Sequence, residues 1–517
     1  MKEQVQLIAN SKIMAAMTAL SRVFGLFRDQ MIAFLLGTTR LADIWATAFM
    51  LPNLFRRLIA EGAMSTAFIP LLAELEAEER EAQANLFMRA MFSMVLCAAL
   101  VTVTVMILAM PWLLPMLLRV LRPTSAAVQP ELYAQMVLPT RIMFPYLVFI
   151  SLAAVCQGVL NVKNRFALAA ATPLVLNICI IGFGLGLRNW LGNPLWGLCC
   201  GVLAGGFLQF FLQWCHLYRL GFRLLPVLGF WNKRAKEAIR LWLPTTFSAG
   251  IVQINALVST VAAVNLVEGA AISLYNSNRM IELVLGVFAA SLTTALLPVL
   301  ARQRSRADQA GLQASLWMGL SLMTVISLPA GLGLIVAGPS LISFLFQRGS
   351  FDSHGVALTC TALCFHAMAL VPIAWYRILS QTFYAHKQVR ITVWIAAIAA
   401  LLNIAGCFVL PRYFDPRYSH CGIALATVLS SWVLFSLGLF HMRRRFALIW
   451  PRWFTWDLLK TALAAAAFLP LWLPVRARSM PTFEFLLKIC LSVAIFSSLA
   501  LVFKVSAMRP LLEKNKQ

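Results

Sequence analysis

Apolar stretches of about 20 residues recur along the whole chain, and they constrain the fold more than any other feature. A helix of this length spans the hydrocarbon core of a bilayer. A spanning segment must satisfy its own backbone hydrogen bonds, so it is either a helix or a strand of a closed barrel. Barrel strands are shorter and alternate apolar with polar residues, a pattern that these stretches lack. The sequence therefore predicts an all-α polytopic membrane protein.

Composition and charge favour the same class. Of the 517 residues, 61% are hydrophobic and 12% are charged, whereas soluble domains carry about 25% charged residues. The net charge of +24 would suggest nucleic acid as the partner of a soluble protein. Here the basic residues lie mainly between the apolar stretches, which is the positive-inside pattern of membrane proteins. We therefore expect the chain to be surrounded by membrane lipids and to bind no nucleic acid.

The apolar pattern predicts fourteen transmembrane helices. Their ranges are 13–37, 42–72, 86–117, 134–161, 164–187, 194–218, 238–266, 270–301, 313–346, 354–384, 388–411, 419–442, 456–475 and 483–506. The first two are the least apolar. No small-residue cleavage site follows the first stretch, so we expect it to be retained.

Orientation and domain organisation follow from the connections. The even-numbered connections carry more Lys and Arg, which predicts that they and both termini are cytoplasmic. The connection 73–85 is an exception because it is rich in glutamate. The predicted division comprises an N-lobe over 1–218, a cytoplasmic linker over 219–237, a C-lobe over 238–442, and a helix pair with a basic tail over 443–517.

Several arginines lie inside predicted spans, where a charged side chain costs about 2.5–3.5 kcal/mol and usually faces the bundle interior. In the helix 13–37, Arg22 and Asp29 share one face. Arg28 lies about 120° around the helix from Arg22, so both arginines can reach one cavity. Ser21 precedes the first of them. The alternative is that these arginines extend to lipid head groups.

The helix 42–72 adds a second group of charged residues. Arg57 and Glu61 are four apart and can pair. Arg56 points about 100° away and has no evident partner in its own helix, so it is the better substrate-binding candidate. Asp43 begins the helix and either caps it or pairs with an arginine of the preceding helix. The segment also contains Pro52, which kinks helices, followed by Asn53.

The helix 270–301 holds Arg279 and Glu282, three residues apart, so an internal ion pair is the alternative to a binding role for this arginine. Arg377 is a further cation within a span. Arg22, Arg28, Arg56 and Arg279 together have few carboxylates nearby in the sequence. Because the planar guanidinium binds two oxygens at once, a phosphate or diphosphate is the anion that suits this set.

Catalytic and metal-binding alternatives have little support. The six histidines form no metal-ligand spacing, and no Walker A or G-x-S-x-G motif is present. Most of the 11 cysteines lie inside apolar stretches and form no C-x-x-C pair. We expect no metal, no cofactor and no enzymatic activity. Without an ATP site, uphill transport requires a coupling cation, Na+ or H+, or the membrane potential.

The chain resembles the MurJ (MviN) lipid II flippases of the MOP transporter superfamily over nearly its whole length. The resemblance is carried by SRVFGLFRD at 21–29, LPNLFRRLIAEGAMSTAFIP at 51–70, FPYLVFISLAAVCQGVLNVKNRFALAAATPLVLN at 144–177, LYNSNRMIELVLGV at 274–287, LFQRGSF at 345–351 and FYAHKQ at 383–388. The first two motifs are highly specific in this order and spacing.

The resemblance implies two six-helix lobes around a cationic cavity, with a lipid-tail groove beside a C-terminal helix pair. It implies transport of the undecaprenyl-diphosphate-linked peptidoglycan precursor across the bacterial inner membrane, with cell-wall synthesis proteins as further partners. The family's essential arginines fall on Arg22, Arg28, Arg56 and Arg279, and its acidic position on Asp43. Asp29 and Glu61 also fall on motif positions. Alternatives are another polyprenyl-linked glycan as cargo, or a non-transporting scaffold for cell-wall enzymes.

The chain departs from the family pattern at two positions of the helix 270–301. Asn278 stands where the family usually has Asp, which makes the predicted cavity more positive. Val284 stands where the family usually has Pro, so the resemblance does not carry the family's helix bend over to this chain.

Overall fold

A computed structural model describes residues 2–58, 68–78, 80–123, 126, 129–227, 229–231, 233–472 and 481–506. For residues 2–15, 233, 241, 243–249 and 290 it describes the backbone alone. The described residues form helices and no strands, which confirms the predicted all-α class. Where their residues are described, the predicted helical segments lie in helices.

Nine α-helices form the first part of the chain. They are α1 (Lys2–Leu36), α2 (Arg40–Arg56), α3 (Ile69–Ala77), α4 (Glu81–Val120), α5 (Pro130–Met143), α6 (Tyr146–Val162), α7 (Phe166–Gly186), α8 (Pro194–Arg219) and α9 (Lys233–Val264). The predicted helix 134–161 is thus divided into α5 and α6. Of the predicted helix 42–72, the described residues form α2 and the start of α3.

Eight α-helices follow. They are α10 (Ala270–Val284), α11 (Ala290–Ser305), α12 (Gln309–Phe346), α13 (Ser353–Ala385), α14 (Val389–Val409), α15 (His420–Phe446), α16 (Arg452–Ala466) and α17 (Thr482–Val502). A π-helical turn, Leu285–Ala289, joins α10 to α11, and the axis bends by 42° there. The bend falls between Ala289 and Ser291, directly after the π-turn. The helix is thus bent although Val284 stands where the family has proline, and π-turns are common at helix bends.

Ten helical segments of the described residues are long and apolar enough to cross a bilayer, and the bent pair formed by α10 and α11 makes an eleventh. Three predicted spans are not among them: 13–37, 42–72 and 238–266. Helix α2 has only 17 residues, and α9 contributes only the shorter apolar helix Gly250–Val264. The chain is thus a multi-pass membrane protein, and the total of fourteen spans stays a prediction.

Internal contacts divide the chain into two compact units. The first unit comprises Met1–Arg122 with Ala127–Glu268, and the second comprises Gly269–Gln517 with Pro123–Ala126. By contacts α9 belongs to the first unit, although the sequence analysis begins the C-lobe at residue 238. The predicted lobes are defined by the order of the helices along the chain, whereas the two units are defined by contacts between residues. The lobe division therefore stays a prediction.

Connections that were predicted to share a side of the membrane are neighbours within the first unit. At one end, Arg40 donates its backbone N–H to a carboxylate oxygen of Glu268 at 2.9 Å. Asn265 donates to the carbonyl of Leu118 at 3.1 Å and accepts a hydrogen bond from the hydroxyl of Tyr133. These bonds join the start of α2, the end of α4, α5 and the residues after α9.

The glutamates of the exceptional connection 73–85 have basic partners at another end of the same unit. Glu76 forms an ion pair with Lys163, with 2.8 Å between Oε1 and Nζ. Glu74 forms another with Arg234, with 3.6 Å between Oε1 and Nη2. The two bases belong to other even-numbered connections. The acidic residues therefore compensate neighbouring bases on the same predicted side, which explains why they coexist with the positive-inside pattern.

Helices α7 and α8 pack closely because glycines line the side of α8 that faces α7. Gly197, Gly201 and Gly205 are four residues apart, the spacing of small-residue interfaces in membrane helices. A Cβ atom added to Gly201 would lie 2.8 Å from the Cα of Ile180 and 2.9 Å from the carbonyl oxygen of Cys179. Backbone atoms cannot move aside as a flexible side chain can.

We expect Gly201→Ala to destabilise the protein by about 1–3 kcal/mol, because the added methyl group forces α8 away from α7. The measurement is the thermal unfolding midpoint of the purified protein in detergent. Gly182→Ala in α7 is the matched control, since its new Cβ would meet nothing within 4 Å. Equal unfolding midpoints for the two variants would contradict the conclusion that α7 and α8 lie too close at Gly201 to admit a methyl group.

Candidate functional site

Arg28 is a predicted site residue whose side chain is fixed by an ion pair, hydrogen bonds and an aromatic contact. Its side chain is 10% exposed, and its Nη2 lies 2.6 Å from Oδ1 of the fully buried Asp29. Nε donates to the same oxygen at 3.1 Å, and Nη1 donates to Oδ1 of Asn177 in α7 at 3.1 Å. The guanidinium carbon lies 5.9 Å from the ring centroid of Phe49 in α2, within range of a cation–π interaction. Arg28 thus joins α1, α2 and α7.

This arrangement compensates the burial of a charge. Removing a guanidinium and a carboxylate from water is costly, and their attraction offsets that cost only where further hydrogen bonds complete the geometry. Asn177 supplies such a bond, and its Nδ2 donates to the backbone carbonyl of Ser21 at 3.3 Å. The structure therefore brings together the predicted residues Ser21, Arg28 and Asp29 around an asparagine.

Arg22 differs from Arg28 although both lie on α1. Its side chain is half-buried, and no hydrogen bond or ion pair joins it to the part of the chain that the structure describes. Asp29, which shares its helical face, is engaged by Arg28 instead. Of the two arginines of α1, Arg22 is therefore the one that remains available for an anionic ligand or for lipid head groups.

Helix α2 carries the next group of predicted residues. Arg56, its last residue, is half-buried with a buried Nε. Arg57 is exposed and donates to Gln253 of α9 at 3.4 Å. Glu61, its predicted partner, lies outside the described residues, so that pairing stays a prediction. Asn53 donates to the carbonyl of Phe49 one turn earlier in the same helix, at 3.0 Å.

Asp43 is fully buried in the first turn of α2. A carboxylate at this position interacts favourably with the positive end of the helix dipole. The N-cap residue is Thr39, which makes no capping hydrogen bond with its own side chain. Asp43 therefore contributes its charge to the helix start without occupying the cap position.

The second unit has an arginine group of its own. Arg279 pairs with Glu282 at 3.3 Å, and the Arg279 side chain is 26% exposed. Asn278 donates to the other carboxylate oxygen of Glu282 at 3.3 Å. Arg377 in α13 is half-buried and also interacts electrostatically with Glu282. The ion pair predicted as the alternative for Arg279 is thus present.

The sequence analysis missed two buried polar residues. Asn177 closes one of the family motifs and was not singled out. Asp457 in α16 is 3% exposed and accepts hydrogen bonds from Ser321 of α12 at 2.9 Å and from the backbone N–H of Ser506 at 3.1 Å. An acidic residue inside a predicted span is a signal that could have found Asp457. Asn177 has no such signal, because a single asparagine in a span gives no indication of its partner.

Within the described ranges, no three His, Cys, Asp or Glu residues are grouped as a metal site requires. The first unit offers guanidinium groups at two degrees of burial: Arg28 is fixed by a carboxylate and an amide, and Arg22 is half-buried without a described partner. In the second unit, Arg279 pairs with Glu282. Such groups bind oxyanions. They supply neither an activated nucleophile nor a general base for covalent chemistry.

Comparison with solved structures defines the class of the fold. The structure resembles a MATE family transporter of the MOP superfamily in an inward-facing conformation, with a TM-score of 0.66, 14% identity, and coverage of 84% of this chain and 98% of the other. It resembles the lipid II flippase MurJ in its inward closed conformation more closely, with a TM-score of 0.79, 25% identity, and coverage of 96% and 99%. The fold is therefore that of a MOP superfamily transporter.

Sequence comparison identifies the family. Residues 32–492 match the family described as lipid II flippase MurJ. The lipid II flippase MurJ of Burkholderia cenocepacia is 32% identical over 432 residues, covering 82% of this chain and 81% of the relative. A probable lipid II flippase MurJ of Vibrio cholerae is 31% identical over 457 residues, covering 85% of each. The chain belongs to the MurJ family, whose members are transporters rather than enzymes, as predicted.

We expect Arg28→Ala to lower the free energy of unfolding by about 3–5 kcal/mol, because it leaves the carboxylate of Asp29 buried without its cation. Arg22→Ala on the same helix is the control, and its effect should stay within about 1 kcal/mol. The measurement is unfolding of both purified variants in detergent by intrinsic fluorescence. An Arg28→Ala variant as stable as the control would contradict a buried ion pair at this position.

Proposed function

We propose that the chain is a flippase that moves lipid II, the undecaprenyl-diphosphate-linked peptidoglycan precursor, from the inner to the outer leaflet of the cytoplasmic membrane. Membership of the MurJ family and the names of its relatives support this substrate. Lipid II combines a long apolar tail with a diphosphate. A helical membrane protein that carries buried arginines is suited to both parts.

The observation that carries the proposal is the oriented guanidinium of Arg28, six residues after the half-buried Arg22 on α1. Asp29 and Asn177 fix the fork of Arg28, so little side-chain entropy is lost when a phosphate oxygen approaches it. Arg22 has no described partner to give up. We propose that these two residues, with Arg56 and Arg279, bind the diphosphate, and that Asp43 and Asp29 keep the local positive charge from becoming excessive.

We propose alternating access as the transport cycle. The arginines capture the diphosphate from the cytoplasmic side, the inner gate closes, the outer gate opens, and the lipid leaves into the outer leaflet. Rocking of two helical bundles around a midplane site is the general pattern for such carriers. Solved MATE transporters of similar fold are described in inward-facing and outward-facing conformations.

After the lipid has left, the empty carrier must return to its inward-facing conformation with its arginines uncompensated. We propose that the membrane potential or a coupling cation, Na+ or H+, drives this step. A negative interior attracts cationic groups toward the cytoplasm with about 2.3 kcal/mol per charge per 100 mV. The excess of basic residues in the even-numbered connections supports an inner-membrane location with both termini in the cytoplasm.

We expect an Arg22→Gln, Arg279→Gln double variant to lose lipid II export when it replaces the wild-type protein in cells depleted of their own flippase. Each arginine lost removes a charge-assisted bond worth about 1.5–3 kcal/mol, so affinity should fall by at least about 100-fold. Arg28 is avoided because its loss also destabilises the fold. The measurement is surface exposure of lipid II, together with growth.

The matched control is Arg390→Gln, which removes an exposed arginine at the start of α14. Immunoblotting must show equal abundance of all variants. A double variant that exports lipid II normally would refute diphosphate capture by these arginines. Wild-type protein that restores growth without exposing lipid II would favour the scaffold alternative, and export of a different polyprenyl-linked glycan would favour the other cargo.

A further inference from the structure

Asn177 makes an unusual pair of contacts. It lies in α7 with 5% of its surface exposed. Its Oδ1 accepts from Nη1 of Arg28 at 3.1 Å, and its Nδ2 donates to the backbone carbonyl of Ser21 at 3.3 Å. A single amide group therefore binds α1 both through a side chain and through the backbone.

Helix geometry explains how one amide reaches both positions. Ser21 and Arg28 are seven residues apart and share a face of α1. Helical side chains lean toward the N-terminus, whereas backbone carbonyls point toward the C-terminus. The guanidinium and the carbonyl therefore approach each other between the two turns, and Asn177 bridges them from α7. This bridge fixes both the direction of the Arg28 fork and the rotation of α1 against α7.

The chemical type of the bridging side chain matters because Asp29 already places a carboxylate on the same guanidinium, at 2.6 Å. An amide oxygen accepts a hydrogen bond without adding a negative charge. A carboxylate at position 177 would accept the same bond, but two anions would then surround one cation and an incoming phosphate would meet repulsion.

We propose that Asn177 is a positioning residue for anion binding: its neutral amide fixes the Arg28 guanidinium while leaving the positive charge of that group available to the diphosphate. This inference rests on the proposed function. It assigns to the asparagine a role that its position on α7, remote in sequence from every arginine of the set, does not suggest.

A charge swap tests the proposal with little change in side-chain volume. The variants are Asn177→Asp, Asp29→Asn and the double variant that carries both changes. The probe is undecaprenyl diphosphate in detergent, and the measurements are its Kd and the thermal unfolding midpoint of each protein. We expect Asn177→Asp to keep a midpoint near that of the wild type and to bind the probe at least about tenfold more weakly.

The double variant is the decisive arm, because it moves the carboxylate from α1 to α7 and restores one anion beside Arg28. We expect it to bind the probe more tightly than Asn177→Asp does. A purely structural brace would leave the Kd of Asn177→Asp unchanged, and that result would overturn the proposal. Additive losses in the double variant would overturn it as well, because they would show that the two positions do not act through one guanidinium.

A second variant covers the case in which Asn177→Asp does not accumulate. Asn177→Leu has a similar size and no hydrogen-bonding groups, and it is compared in the wild-type and Arg28→Lys backgrounds. A residue that acts through the guanidinium fork should lose affinity in the first background and little more in the second; equal losses in both would overturn the proposal. If the wild-type protein does not bind the probe, the proposed function itself fails and this inference with it.

Discussion

A charged side chain that is buried away from water needs a partner, and this requirement joins three helices of the first unit around Arg28. Its guanidinium is 10% exposed, so it must find its compensation in the protein. Asp29 supplies the opposite charge, Asn177 a neutral acceptor and Phe49 an aromatic face. These three residues come from α1, α7 and α2, so satisfying one cation fixes the relative positions of three helices.

The same requirement recurs in the second unit with a different balance. Glu282 accepts from Arg279 and Asn278 and also interacts with Arg377. Glu282 forms its ion pair with Arg279 across one helical turn, whereas Arg28 pairs with the neighbouring residue Asp29. Asp457 shows the complementary case, since a buried carboxylate accepts hydrogen bonds from a hydroxyl of α12 and from a backbone N–H of the residues after α17. Arg28 and Asp457 are thus each matched to local donors or acceptors, as burial away from water demands.

Outside the apolar region, two ion pairs join segments that the sequence assigns to different even-numbered connections. Glu76 and Lys163 belong to different connections, and so do Glu74 and Arg234. The positive-inside rule depends on Lys and Arg and only weakly on Asp and Glu. By this rule the glutamate-rich connection 73–85 is an exception. The pairing shows that its glutamates neutralise neighbouring bases, and the excess of positive charge resides in the remaining basic residues.

The sequence alone determined the helical class, the positions of the helical segments and the identity of the arginines, because hydrophobic length and local charge are properties of neighbouring residues. It also indicated the family through motifs such as SRVFGLFRD. Tertiary structure decided which arginine is paired: Arg28 binds Asn177, 149 positions later in the chain, whereas Arg22 keeps no described partner. It also decided that a π-turn and a bend follow Val284 and that the glycines of α8 face α7. The pairing of Arg28 depends on a contact between segments remote in sequence, and such a contact leaves no periodic signal in the chain. The four-residue spacing of the α8 glycines is visible in the sequence, but the helix that they face is not.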